Sequence, residues 1–367
     1  MKRIVVLGSG NSACLTALKY HSYMYGNIPG EIIIYPTEEN CLESIRQSCD
    51  PKTLDLISRS LDISYYSNDL DFTLNGGFLY KNWSKNEIFT PYTMSMNKVG
   101  VHYSGKKLFD SLVKSKHFTI KDETIKDPEK DIDCDIIFDC RNGYDRDKSE
   151  YKPVQSIVNS ILLCNKQGMD LTLNYTSFVA TPYGWVFIIP DVDSVQYGYV
   201  YNNTITPKED IIKDFLERFN LSQIDDDFTF ESYKRDEIEV GDKTILNGFM
   251  HTSFEPLDTR NFEIYEIVCS EILDLLVNGN FNSKRIIDNV NAREKFIAWH
   301  YQFGSEYDTD FWRMGKKLPF TIDDDWMDIV QNTQWGKISN FKKWAVGVGY
   351  NNGKDVIETM RNEINTN

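Results

Sequence analysis

The chain has few residues of the kinds that hold metals or disulfides. Its seven cysteines are an odd number and include no Cys-x-x-Cys pair, which is typical of a reduced cytosolic protein rather than of a disulfide framework. The five histidines show no metal-like clustering, which argues against a zinc site. We therefore expect a cytoplasmic protein without a bound metal.

Long apolar runs and an excess of positive charge are also lacking. Lys2 and Arg3 lead into a strand too short for a signal core, and no apolar run is long enough to cross a bilayer. The formal net charge is −15, with 55 acidic and 40 basic residues scattered along the chain. Such a surface repels phosphate backbones and anionic lipids, so we expect neither nucleic acid nor a membrane as a partner.

At its start the sequence does contain the pattern of a dinucleotide-binding turn. Apolar β-formers at residues 4–7 lead into Gly8-Ser9-Gly10-Asn11-Ser12-Ala13, the G-x-G-x-x-G/A form, and a helical stretch follows. Gly8 permits the tight turn, Gly10 lets backbone amides approach a pyrophosphate, and Ala13 lets the helix pack on the strand. The alternative is an ordinary strand–helix turn that binds nothing.

Further along, the patterns predict a parallel sheet with helices. Residues 31–35 read as the second strand, but Tyr35-Pro36-Thr37 stands where an acidic residue usually holds the ribose, which leaves Glu38 as a weak substitute. Asp50 caps a predicted helix over 51–61, and another helix is predicted over 106–116. A buried strand ends at Asp139, before Arg141-Asn142-Gly143, where the second part of a flavin dinucleotide usually passes the sheet.

A second layer follows. From about residue 151 to 200 the apolar period is two, with strands expected at 171–175 and 185–189, which predicts an antiparallel sheet over the nucleotide module. Helices are predicted over 207–219 and 262–277, with more helix towards residue 367. The chain shows no clear linker, so the two parts are expected to share one core.

Four motifs together resemble the flavin-dependent halogenases of the tryptophan-halogenase family. Besides the glycine turn, Trp185-Val186-Phe187-Ile188-Ile189-Pro190 is similar to the family's W-x-W-x-I-P signature. Ser253-Phe254-Glu255-Pro256-Leu257-Asp258-Thr259 is similar to F-L-E-P-L-E-S-T-G. The fourth match is His300-Tyr301 with Asp308-Thr309-Asp310-Phe311-Trp312. Their order and spacing agree over roughly residues 2 to 350.

The resemblance implies an α/β fold, in which a Rossmann-like FAD-binding module is fused to a sheet-plus-helix aromatic-substrate module in a single compact unit. We assign 1–63 and 98–150 to the FAD module, 64–97 and 151–345 to the substrate module, and 346–367 to a helical tail. The family's chemistry implies FADH2 from a separate flavin reductase, oxygen and halide (chloride, bromide or iodide). Hypohalous acid then passes to a lysine and halogenates an electron-rich small aromatic substrate. The family often forms homodimers, although no stretch of this chain identifies an interface.

The resemblance also implies site residues. Lys81, before Asn82-Trp83, is the candidate halogen carrier, although strict alignment places Leu79 there and Lys81 is otherwise a solvated surface lysine. Asp258 matches the acidic partner, one methylene shorter, and is alternatively a helix N-cap. The cofactor-binding candidates are Gly8, Gly10, Ser12, Ala13, Asp139, Trp185, Phe187 and Pro190.

The candidate halide site is Thr259, Arg260 and Asn261, where Arg260-Asn261 replaces the family's Thr-Gly. This change either strengthens halide binding or blocks the site. Trp185 and Phe187 imply a shield over the flavin and are alternatively plain core packing. The family's Gly-Glu-Ser-Thr segment is reduced to Leu42-Glu43-Ser44-Ile45.

Two functions stay open at the level of sequence. One is the two-component halogenase described above, and the other is a flavoprotein monooxygenase or a non-catalytic flavin-binding protein that has lost halogenation. A nicotinamide dehydrogenase fits the glycine turn but not the tryptophan-rich signature, and no second glycine loop for NAD is visible.

Overall fold

A computed structural model describes residues 2–25, 29–64, 68–83, 87–91, 100–168, 170, 172–257 and 261–319. The helices are α1 Asn11–Met24, α2 Pro51–Leu61, α3 Gly105–Lys114, α4 Pro128–Asp131, α5 Lys208–Phe219, α6 Asn261–Asn278, α7 Ser283–Phe303 and α8 Asp310–Gly315. The strands are β1 Lys2–Leu7, β2 Gly30–Tyr35, β3 Gln47–Cys49, β4 Thr73–Asn75, β5 Gly77–Lys81, β6 Ile88–Pro91, β7 Gly100–Tyr103, β8 Thr119–Ile120, β9 Ile136–Asp139, β10 Lys152–Pro153, β11 Ser160–Gln167, β12 Thr176–Thr181, β13 Gly184–Pro190, β14 Ser194–Tyr201, β15 Asp226–Thr229, β16 Tyr233–Lys234, β17 Glu239–Val240, β18 Thr244–Leu246 and β19 Thr252–Ser253.

The first sheet is mostly parallel, in the order β17-β18-β9-β1-β2-β8. Its central strands are buried on both faces, which explains the unbroken apolar runs in β1, β2 and β9. The predicted strand–turn–helix–strand unit is confirmed, because β1 runs parallel to β2 and α1 connects them. β17 and β18 join this sheet although they come from the range assigned above to the substrate module.

The second large sheet has the order β15-β11-β14-β13-β12-β5-β6 and is antiparallel except for the β5–β12 pair. The strand expected at 171–175 is wrong, since β12 begins at Thr176. Asp170 explains the shift, because its carboxylate accepts hydrogen bonds from the backbone N–H and the hydroxyl of Thr172 and so holds a turn there. Residue 171 lies outside the described residues.

The predicted helices at 51–61, 106–116, 207–219 and 262–277 are confirmed within one or two residues at most ends. Asp50 caps α2 as expected, because its carboxylate accepts a hydrogen bond from the N–H of Thr53 at 2.8 Å. The tail at 346–367 lies outside the described residues, so its helical assignment stays a prediction.

Together the sheets and helices form the mixed α/β unit that the sequence predicts. Among the described helices, none combines the length and apolar character that crossing a bilayer requires. In those same ranges, no three His, Cys, Asp or Glu side chains converge on a point where a metal ion could bind. Two small antiparallel sheets, β3-β7-β4 and β10-β16-β19, complete the architecture.

Candidate active site

The glycine turn between β1 and α1 has no room for a side chain at Gly8. Its φ is +128°, and a Cβ there would lie 2.6 Å from the carbonyl oxygen of Cys140, just beyond the end of β9. Ser9 ties the turn to the end of β2, since its hydroxyl donates to the Thr37 carbonyl at 2.8 Å and accepts from the Thr37 N–H at 3.0 Å. The ends of β1, β2 and β9 therefore meet where a dinucleotide is expected.

At the start of α1 the helix N-terminus faces a carboxyl group. The backbone N–H of Asn11 donates to Oε1 of Glu43 at 3.1 Å, and a Cβ on Gly10 would lie 2.6 Å from the same oxygen. Burial raises the pKa of Glu43 to about 7, with the Glu39 charge adding to the shift and the Asn11 N–H opposing it. The space that Gly10 leaves open holds a carboxyl group of the chain itself.

The remaining turn residues are buried under neighbouring elements. Ser12 and Ala13 lie in the first turn of α1, and Gly248, with φ +58°, packs so closely that its Cβ would lie 2.2 Å from the Ser12 hydroxyl. Asp139 is buried at the end of β9 and forms an ion pair with Arg141 at 2.6 Å. Gly248 was not among the predicted site residues, although Asn247-Gly248 is a visible turn signal after a strand.

The glycine turn opens onto a small cavity of about 50 Å³, which we name the inner cavity. It brings together the start of α1, the Glu43 segment, the Phe254–Pro256 stretch and the start of α6. Asn261, a predicted halide-site residue, thus lies beside the predicted dinucleotide turn. The lining residues are Asn11, Leu42, Glu43, Ile45, Arg46, Gln47, Phe249, Phe254, Pro256, Asn261, Phe262 and Tyr265. Asp258, Thr259 and Arg260 lie outside the described residues, and Leu257 and Asn261 flank them.

The backbone of this turn has the arrangement that binds the phosphates of a dinucleotide. Two glycines without room for a side chain stand at the N-terminus of a 14-residue helix, the arrangement that binds phosphate oxygens through backbone N–H groups. We name this arrangement of Gly8, Gly10 and the first turn of α1 the cradle. The cradle is not empty, because the carboxyl group of Glu43 accepts a hydrogen bond from the N–H of Asn11.

Signature residues of β13 belong to a buried aromatic cluster, which we name the aromatic wall. Its members are Tyr80, Trp83, Phe178, Trp185, Phe187, Tyr301 and Trp312, and it belongs to one core with Leu42, Ile45, Phe249 and Phe254 of the inner cavity. The rings of Phe178 and Trp185 are 5.8 Å apart. Phe187 lies flat against Gly198 on β14, where a Cβ would come within 1.9 Å of the ring. Pro190 ends the strand, and its carbonyl accepts from the Thr73 hydroxyl at 3.0 Å.

Trp185 is fixed by a chain of buried hydrogen bonds. Its indole N–H donates to the Tyr301 hydroxyl at 2.7 Å, and that hydroxyl donates to Glu255. The other oxygen of Glu255 accepts from the Ser156 hydroxyl. Burial raises the pKa of Glu255 to about 7, against the lowering effect of the two hydroxyl donors and of the Arg293 charge. Glu255 and Tyr301 were identified from sequence only as positions that match family motifs. The hydrogen bond between them was not predicted.

Lys81 lies on the other face of the second sheet. Phe78 and Tyr80 point into the core that contains the aromatic wall, so Leu79 and Lys81, which alternate with them along β5, face the opposite side. The Lys81 side chain is 38% exposed and its ammonium lies 3.2 Å from Glu87. The described residues therefore do not bring Lys81 to the inner cavity, and neither does Leu79 line it.

Comparison with known proteins places this geometry in context. A model of the tryptophan halogenase family matches residues 148–343, more than half of the chain. The chain is similar to tryptophan 7-halogenase RebH of Lentzea aerocolonigenes, with 25% identity over 155 residues, 39% of this chain and 29% of that protein. It is also similar to tryptophan 6-halogenase ThaL of Streptomyces albogriseolus, with 23% identity over 188 residues, 48% and 35% of the two chains. The match thus spans about a third of the length of these curated relatives.

Among solved structures, the chain is similar in fold to BrvH, a flavin-dependent halogenase from Brevundimonas sp. BAL3. The TM-score is 0.76 at 12% identity, over 95% of this chain and 90% of that one. At this identity the likeness establishes the fold, and it confirms the predicted single α/β unit.

Proposed function

Because this chain belongs to the tryptophan halogenase family, we propose that it is an FAD-dependent halogenase acting on an electron-rich aromatic compound. Its other substrates would be oxygen and chloride, bromide or iodide, and a separate flavin reductase would supply FADH2. One observation carries the proposal. The matched range 148–343 contains the signature strand of the aromatic wall, and this wall shares a core with the cavity beside the glycine turn.

The glycine turn would hold the pyrophosphate of FAD through backbone N–H groups at the start of α1. Gly8 and Gly10 contribute no side chain of their own here, while Ser12 and Ala13 anchor the helix against β1 and Gly248. Asp139, neutralised by Arg141, would stand beside the second half of the cofactor. Bound reduced FAD would supply the reaction of oxygen with halide that yields hypohalous acid.

The aromatic wall would keep organic substrate away from the flavin. Trp185 is completely buried, and the hydrogen bond to Tyr301 restricts rotation of its indole ring. Phe187 preserves bulk where the family has a second tryptophan, and Gly198 leaves just enough space for the flat ring. A wall of this kind directs the oxidant towards halide rather than towards hydroxylation of the aromatic compound.

Lys81 is the residue we assign as halogen carrier, with Asp258 as its acidic partner. The Lys81 side chain lies on the face of β5 away from the inner cavity, so hypohalous acid would have to pass the second sheet to reach it. An organic substrate on the Lys81 side stays apart from the flavin. We assign Thr259, Arg260 and Asn261 to the halide site, on the observation that Asn261 lines the inner cavity.

The test is a coupled reaction of the purified protein with FAD, a flavin reductase, NADH and each halide in turn. An aromatic panel that includes indoles and phenols is then read by mass spectrometry. The proposal predicts a halogenated product whose formation needs halide and oxygen. No product with any halide, in protein shown to bind FAD, would contradict it.

Lys81→Ala tests the carrier. The variant should lose product by several orders of magnitude while FAD binding and NADH-driven peroxide formation continue, because the Lys81 side chain faces away from the aromatic wall and does not line the inner cavity. Lys208→Ala is the matched control, since Lys208 is a half-exposed lysine in an ion pair with Asp227 at 2.5 Å. Full activity of Lys81→Ala would show that the lysine assignment is wrong.

The second candidate function is a flavoprotein that has lost halogenation. The ion pair of Lys81 with Glu87 on the face away from the inner cavity favours it. This candidate predicts FAD binding and peroxide formation without halogenated product, and a hydroxylated product if the protein is a monooxygenase. The same mass spectra separate the two candidates.

A further inference from the structure

We propose that Glu43 is an internal anion that occupies the phosphate position of the dinucleotide cradle and competes with the pyrophosphate of the cofactor. The inference rests on the proposed function, because it concerns the same FAD site. At the level of sequence, Glu43 is only part of Leu42-Glu43-Ser44-Ile45, the reduced form of the family's Gly-Glu-Ser-Thr segment.

The Glu43 carboxyl group stands where a helix N-terminus binds an anion. Backbone N–H groups in the first turn of a helix have no partner within the helix, and anions bind there. The N–H of Asn11 is such a group, and Oε1 of Glu43 accepts its hydrogen bond at 3.1 Å. A phosphate oxygen on this N–H requires the same place.

The Glu43 carboxyl group also fills the space above Gly10. The glycine is expected to let a pyrophosphate approach the backbone, yet a Cβ built there would lie 2.6 Å from Oε1 and 3.1 Å from the Cδ of Glu43. The carboxyl group therefore lies directly against the Cα of Gly10. Carboxylate and phosphate cannot both fill this space.

Hydrogen bonds hold both partners of this contact, Asn11 and the Glu43 segment, in place. Asn11 is fixed by the Tyr103 hydroxyl, which donates to its side-chain oxygen at 2.6 Å. Glu43 belongs to a 3₁₀ turn over Cys41–Ser44. Asn40 caps this turn, because its side-chain oxygen accepts a hydrogen bond from the N–H of Leu42 at 3.0 Å. The contact thus joins two ordered elements.

The charges around Glu43 would repel a further anion. Glu39 on the same segment adds a second negative charge, and the raised pKa of Glu43 agrees with burial beside it. A bound pyrophosphate would bring its own negative charges against both groups. Binding therefore requires the Glu43 side chain to leave the cradle, which costs part of the affinity.

The experiment measures equilibrium binding of FAD and of ADP by fluorescence and calorimetry at low ionic strength and at about pH 8, above the raised pKa of Glu43, so that its carboxyl group is charged. Glu43→Gln keeps the shape and removes the charge, and Glu43→Ala also empties the space. Both variants should bind FAD and ADP about tenfold more tightly than the wild type, the scale of a helix-terminus charge interaction. The gain should shrink as salt is added.

Two controls locate the effect. Glu39→Gln removes the same charge four residues away without touching the Asn11 N–H, and it should change the affinity much less. Riboflavin has the isoalloxazine ring without phosphate, so its binding should not respond to Glu43→Gln. A comparable gain from Glu39→Gln would overturn the positional claim.

Weaker FAD binding by Glu43→Gln and Glu43→Ala would contradict the proposal and make Glu43 a cofactor contact. Equal affinities in all forms would also contradict it, while leaving FAD binding and the halogenase proposal untouched. If neither wild type nor variants bind FAD, both proposals fail. A crystal structure with FAD adds a direct measurement, in which the Asn11 N–H should donate to phosphate and not to Glu43.

Discussion

The cradle and the aromatic wall are each in contact with a carboxyl group, and the two groups are held in different ways. Burial raises the pKa of both Glu43 and Glu255 to about 7. Glu255 accepts from the hydroxyls of Tyr301 and Ser156 inside the core. Glu43 accepts from one backbone N–H at the edge of a cavity.

The difference shows how one protein can combine a site where anions exchange with a core whose side chains are fixed. A carboxyl group with two hydroxyl donors inside the core is part of the packing, and it fixes Tyr301 and through it Trp185. A carboxyl group on a helix N-terminus beside a cavity can be replaced by another anion. The first region would insulate the reaction, and the second would accept the cofactor.

Among these variants, Trp185→Ala should lower the stability of the protein most, because it disrupts the aromatic wall. It removes a fully buried indole and leaves Tyr301 without its donor, so we expect the free energy of unfolding to fall by about 3–5 kcal/mol. Urea denaturation measures it. Trp185→Phe keeps an apolar ring and should lose much less. A loss below 1 kcal/mol for the alanine variant would show that the ring does not carry the packing of the wall.

Gly8→Ala should break the cradle with a smaller loss of stability. The new Cβ would lie 2.6 Å from the Cys140 carbonyl oxygen at φ +128°, so we expect about 1–3 kcal/mol and the loss of FAD binding. Gly168→Ala is the matched control, because Gly168 has φ +107° and nothing within 4 Å of its Cβ position. Equal effects at both glycines would mean that φ alone, and not the approach to β9, explains the need for Gly8.

The pH dependence of stability sharpens the comparison of the two carboxyl groups. The pKa of a glutamate in the unfolded chain is about 4.3. Between that pH and pH 7, folded Glu255 therefore keeps a proton that the unfolded chain has lost. The free energy of unfolding should therefore fall as pH rises through this window, by on the order of 3 kcal/mol for this fully buried group.

Glu255→Gln should flatten that slope, and Glu43→Gln should flatten it less because Glu43 is partly exposed. Urea midpoints at a series of pH values measure both. The comparison fails if the slope of Glu255→Gln equals that of the wild type, or if Glu43→Gln removes the larger share.

Local signals predicted the elements of the fold well. Asp50-Pro51 identified the start of α2, and the glycine turn identified the β1–α1–β2 unit, because caps and tight turns depend on neighbours in the chain. The strand expected at 171–175 was wrong because Asp170 holds a side-chain turn that apolar periodicity does not register.

The site was harder to predict because its contacts join distant parts of the chain. Glu255 and Tyr301 are 46 residues apart, and Glu43 and Asn11 are 32 apart, so no local pattern indicates either hydrogen bond. The position of Lys81 was also only partly predictable from sequence. Its place before Asn82-Trp83 is visible in sequence, but the face of the sheet that it occupies depends on the register of β5 with β12.

The most direct measurement of the halogenase account is a single turnover without reductase. Protein is loaded with photochemically reduced FAD under anaerobic conditions and then mixed with oxygen, bromide and the aromatic panel. Brominated product is counted per FAD by its isotope doublet in mass spectra. The account predicts brominated product as a substantial fraction of the FAD supplied in the wild type. Oxidation of all the FAD with peroxide alone, and no brominated compound, would contradict it.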